Sequence, residues 1–61
     1  MPEILIHIAE GRTKESKQAM MKDITEAVVK HFGVQPDRVV VQIVESSKDN
    51  KTRGGVPFSQ M

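Results

Sequence analysis

Apolar positions alternate at the start of the chain. In Glu3–Ala9, EILIHIA, Ile4, Ile6 and Ile8 fall on one face and Leu5, His7 and Ala9 on the other. Neither face is convincingly polar, which suits a strand covered on both sides. Glu10-Gly11 ends the run. From Lys14 to Phe32 the spacing turns helical. Met20, Ile24, Ala27, Val28 and His31 or Phe32 form a stripe, with Lys17, Lys22, Asp23, Glu26 and Lys30 mostly elsewhere. Thr13 is the expected N-cap, Glu15 sits near the positive end of the helix dipole, and Gly33 is the expected terminator. Pro36-Asp37 reads as a turn. Val39–Glu45, VVVQIVE, is a second β-branched strand, again apolar on both faces. Ser46–Arg53 reads as a polar loop and Gly54-Gly55 as a turn with unusual backbone angles. Val56-Pro57-Phe58 is a short apolar tail that adds a strand or caps a partner.

These elements make an α/β (α+β) chain: a single βαβ unit with two parallel strands and a short C-terminal tail or hairpin, in one domain spanning residues 1–61. One helix covers one sheet face, and two strands are too few to be stable alone. The second apolar face needs cover, so the pattern predicts assembly into an oligomer. Length strengthens this. A chain of 61 residues buries only about 60% of its unfolded surface, and such domains generally need disulfides, a metal or a partner subunit. There are no cysteines and only two histidines, far apart in sequence. A disulfide framework is excluded, a zinc set is poorly supported, and self-association is the remaining source of stability.

Charge narrows the function classes. The formal net charge is +1, with both signs interspersed, which gives no general attraction to nucleic acid or membrane. With no Trp, no Tyr and two Phe, the chain has no stacking platform for single-stranded nucleic acid. No apolar run approaches the ~20 residues of a membrane span. No secretory signal pattern is visible, so a cytoplasmic location is expected.

Met1-Pro2 then becomes the informative pair. Proline is tolerated at the first residue of a strand. A small residue behind Met also permits Met removal, which would leave Pro2 as an unblocked secondary amine. Met1-Pro2 heading a strand, EGRT at Glu10–Thr13, the helix KQAMMKDITEAV, Gly33, VVVQIVE and Gly54-Gly55 together resemble the 4-oxalocrotonate tautomerase family. Its small βαβ subunits assemble into hexamers and use an N-terminal proline as catalytic base. The resemblance covers residues 1–55 without a gap. It implies Pro2 as the catalytic base and Arg12 as the arginine that binds a substrate carboxylate. The family's second arginine aligns with Val40, its aromatic wall residue with Lys51, and a nearby apolar wall position with Arg53. Arg53, beside adjustable glycine backbone, is therefore the expected second substrate-binding cation, ahead of Arg38 in the preceding turn. No cofactor or metal is implied. The expected partners are a small-molecule carboxylate and further copies of the chain, as a homohexamer.

The chemistry fits these residues. A tautomerase removes a proton from one atom and returns it to another, so its base needs a pKa near the working pH. Burial and nearby cations, such as Lys51 and Arg53, both disfavour an ammonium and lower the pKa of an amine. Geometry adds a constraint. Pro2 and Ala9 are about 23 Å apart on an extended strand at roughly 3.3 Å per residue, and Arg12 lies beyond. If both touch one small substrate, Arg12 comes from another subunit. The expected activity is keto–enol proton transfer on a small unsaturated or 2-oxo acid. A proline-dependent hydratase or dehalogenase, and a non-catalytic scaffold, are the alternatives. His7 is expected to be a packed, hydrogen-bonded histidine, and Met20-Met21 core filler.

Overall fold

A computed structural model describes all residues, 1–61. Strand β1 spans Glu3–Ala9, helix α1 Lys14–Phe32, and strand β2 Val40–Ser46. Short 3-10 turns at Pro36–Arg38 and Lys48–Asn50 lead into and out of β2. Two-residue strands β3 (Thr52–Arg53) and β4 (Val56–Pro57) and a last 3-10 turn, Phe58–Gln60, complete the chain. β2 begins and ends one residue later than the apolar run predicts. Val39 instead closes the preceding turn, its N–H donating to the Pro36 carbonyl at 3.1 Å.

β1 and β2 pair in parallel, from Glu3 opposite Val40 to Ala9 opposite Ser46. That register puts Ile4, Ile6 and Ile8 on the same face as Val41 and Ile43, all half-buried. α1 packs over this face, chiefly on β2. It starts where Thr13 Oγ1 accepts from the Ser16 N–H at 3.1 Å. It ends at Gly33, whose left-handed φ of 67° lets its N–H reach the Val29 carbonyl at 3.0 Å. The helix is clamped to the sheet by one ion pair, Lys17 Nζ to Glu45 Oε1 at 2.9 Å. The half-buried helix residues are Lys17, Met21, Ile24, Thr25, Val28 and Val29. This corrects the expected stripe: Met20, Ala27, His31 and Phe32 are exposed in the single chain, and Met21 and Val29 take their place. Met21, Ile24 and Val28 face β2, and the Lys17–Glu45 bridge lies on the same helix face.

The opposite sheet face has no cover within the chain. Leu5 is 53% exposed there, and Val40, Val44 and His7 are exposed beside it. The His7 side chain makes no hydrogen bond within the chain, so its expected packing has no partner in one subunit. No residue of the chain is buried. Its accessible surface of 4847 Å² exceeds the ~4000 Å² of a compact monomer of this mass. Its radius of gyration, 14.6 Å, exceeds the ~10.5 Å of a compact chain this long. The excess surface is comparable to the ~800 Å² that one partner contributes to a stable interface. This is the shape of a subunit built to be completed by copies of itself.

Candidate active site

Pro2 stands at the head of β1, half-buried, on the parity of Ile4. The Val40 N–H donates to its carbonyl at 3.0 Å, one step before the Glu3–Val40 pair that opens the ladder. The carbonyl side of Pro2 is thus fixed in the sheet. Met1, on its nitrogen side, is 85% exposed.

Arg12 lies at the other end of the sheet. After Ala9 the strand pairing runs one step further, with the Glu10 N–H donating to the Ser46 carbonyl at 2.9 Å. The chain then turns at Gly11, and Arg12 emerges exposed. It lines a shallow recess with Ile8, Ser16, Lys17 and Met20. The segment after β2 is at this same end: an alanine Cβ placed at Gly11 would lie 3.9 Å from Lys48 Nζ.

Arg53 sits in the C-terminal hairpin. β3 and β4 pair antiparallel, with Thr52 opposite Pro57 and Arg53 opposite Val56. The two residues between them, Gly54 and Gly55, have φ of 59° and 81°. Positive φ at both central positions is what a tight two-residue hairpin of the right twist demands, and glycine alone adopts it without strain. The hairpin folds against the Lys48–Asn50 turn. Lys51 Nζ lies 5.2 Å, and Arg53 Cζ 5.5 Å, from the centre of the Phe58 ring. Neither cation has an acidic partner, since the chain's one ion pair is Lys17–Glu45.

The fold therefore separates the expected site residues. Pro2 is at the N-terminal end of the parallel strands, and Arg12 at the C-terminal end with the segment that leads into the hairpin of Arg53. Arg38, in the exposed 3-10 turn before β2, makes no ion pair. Sequence reasoning read Phe58 only as part of an apolar tail, without its place beside Lys51 and Arg53. The two-glycine turn brings Phe58 opposite Lys51, one pair beyond the Thr52–Pro57 pair of the hairpin. No three His, Asp or Glu side chains gather as a metal-ligand set, and no helix is long and apolar enough to cross a membrane.

A family model described as tautomerase enzyme matches residues 2–61. The chain belongs to the tautomerase family. A probable tautomerase of Bradyrhizobium diazoefficiens is 53% identical to it over 58 residues, 95% of this chain and 87% of the relative. The 2-hydroxymuconate tautomerase of Bacillus subtilis is 36% identical over 61 residues, all of this chain and 98% of the relative. The solved heterohexamer 4-oxalocrotonate tautomerase of Chloroflexus aurantiacus superposes with a TM-score of 0.89 at 26% identity, over 100% of this chain and 98% of that one. The tautomerase match fixes the class of chemistry as isomerisation, and the fold is the tautomerase βαβ unit. Self-association, expected from the uncovered sheet face, agrees with the assembled state of the solved tautomerase.

Proposed function

We propose that this tautomerase catalyses keto–enol proton transfer on a small unsaturated 2-hydroxy or 2-oxo carboxylic acid, with Pro2 as general base once Met1 is removed. The observation that carries the reading is the anchoring of Pro2. Its carbonyl is tied to Val40, while the methionine before its nitrogen is exposed. Without Met1 the ring nitrogen keeps a lone pair at a defined place on the edge of the sheet.

The proton balance is simple. The Pro2 nitrogen takes the proton of the enol hydroxyl, the oxygen electrons form the carbonyl, and the double-bond electrons shift to carbon. The resulting prolinium returns its proton to that carbon. Arg12 of a neighbouring subunit holds the substrate carboxylate in a two-pronged contact. Arg53 supplies a second substrate-binding cation. The site is complete only where the head of one β1 meets the far end of another, which antiparallel pairing of two first strands achieves. A homohexamer satisfies this pairing and also covers the second sheet face. The Bacillus subtilis relative's name points to 2-hydroxymuconate as the first substrate to try.

The test is ketonisation of 2-hydroxymuconate by Met-free protein, confirmed by mass spectrometry, against its Pro2→Ala variant. A loss of about 100-fold or more is expected from removing a general base. Equal rates would remove Pro2 from the mechanism and leave a scaffold reading of the chain.

A further inference from the structure

The hairpin holds two cations without an acidic partner and one ring that touches both. Lys51 and Arg53 are two residues apart on an extended strand and so share a face. The Phe58 N–H donates to the Lys51 carbonyl at 2.8 Å. This carries the β3–β4 register one pair further, setting Phe58 opposite Lys51 and diagonal to Arg53. The distances of 5.2 and 5.5 Å from the ring centre follow from that placement. Of the chain's two phenylalanines, Phe32 is exposed while Phe58 is half-buried.

Two like charges on one strand face repel, and on a bare strand their long side chains would splay into water. The negative face of an aromatic ring attracts a cation within about 6 Å of its centre. It does so without using any N–H donor. The ring therefore gathers Lys51 and Arg53 while leaving their hydrogen-bonding capacity unspent. Such a pair suits a carboxylate, with the planar guanidinium binding two oxygens and the ammonium adding a mobile charge. With Arg12 read as holding one carboxylate of the acid, a clamp in the hairpin serves the second.

We propose that Phe58 is a positioning residue: its ring holds Lys51 and Arg53 together as a cationic clamp for the substrate carboxylate remote from Arg12. The clamp rests on the reading of Arg12 and Arg53 given above. It makes the C-terminal tail, through one side chain, a determinant of preference for dianionic over monoanionic enols.

The experiment compares the parent, Phe58→Leu and Phe58→Tyr on two substrates differing by one carboxylate, 2-hydroxymuconate and 2-hydroxypenta-2,4-dienoate. Phe58→Leu should raise the KM ratio of dicarboxylate to monocarboxylate about tenfold, with the loss in KM rather than kcat. Phe58→Tyr, which keeps the ring, should restore the parental ratio. A parallel titration followed by NMR of the Arg53 and Lys51 side chains is independent of turnover. Succinate should move both sets of signals in the parent, and butyrate should move them far less. An unchanged KM ratio in Phe58→Leu, or hairpin signals indifferent to succinate, would overturn the clamp. Succinate-responsive signals in a protein whose Pro2→Ala variant stays fully active would uphold the clamp while removing the proposed base.

Discussion

Val40 donates its N–H to the carbonyl of Pro2 at 3.0 Å, so Pro2, ahead of the first strand, is already tied to the sheet. The proposed base is held by backbone rather than by its own side chain. Arg12, by contrast, emerges beyond the opposite end of β1. The two cannot share a small substrate within one subunit, and this separation yields the sharpest prediction.

Mixed oligomers should complement. Pro2→Ala and Arg12→Ala proteins, each nearly inactive alone, are unfolded together and reassembled. Random pairing would then restore about a quarter of the sites, those with Pro2 from one variant and Arg12 from the other. Ketonisation rates of the mixture check this. No recovery in properly assembled mixtures would put both residues in one chain's site, against the strand geometry.

Assembly should depend on the uncovered sheet face. Leu5→Glu places a carboxylate where the fold leaves an apolar surface for a partner. An unpaired charge buried in an interface costs on the order of 3 kcal/mol or more. Sedimentation velocity should show loss of the oligomer, with helical circular dichroism falling at the same protein concentration. A variant sedimenting like the parent would mean that this face stays in water.

The N-cap should contribute locally. Thr13→Ala removes the acceptor of the Ser16 N–H and should cost about 1 kcal/mol. In a thermal melt at fixed protein concentration, the midpoint should fall by roughly 4–8 °C. Catalysis at 25 °C should be little changed, because the cap supports the helix rather than the site.

Lys51 should tune the base through space. In the proposed site Lys51 binds the substrate that Pro2 deprotonates, so its charge disfavours the prolinium there and its removal favours it. The uncharged amine is the active form, and its fraction grows as pH rises. The acidic limb of the pH–rate profile should therefore move to higher pH in Lys51→Ala, by roughly half a pH unit at low salt. An unmoved limb would remove Lys51 from the electrostatics of the site.

The secondary structure was legible because each element carries its own punctuation. Thr13 and Gly33 bound the helix at the residues predicted, and the alternation in EILIHIA marks β1 without error. The helix rotation was misread for a physical reason. Met20, Ala27 and Phe32 are apolar but face away from the chain's own sheet, and a pattern of apolar positions does not say which partner covers which face. The same ambiguity explains His7, which lies on a face one subunit leaves open. Pro2 and Arg12 could be singled out by local pattern and resemblance. Phe58 could not, because its relation to Lys51 and Arg53 exists only once Gly54-Gly55 folds the tail back.

A polypeptide in which every side chain still meets water has little reason to persist in isolation. A newly made copy must encounter its siblings before a protease encounters it. Slow synthesis would therefore reduce the amount of working enzyme more than proportionally, and a modest rise in expression would have the reverse effect. For this fold, abundance itself acts as a threshold for survival.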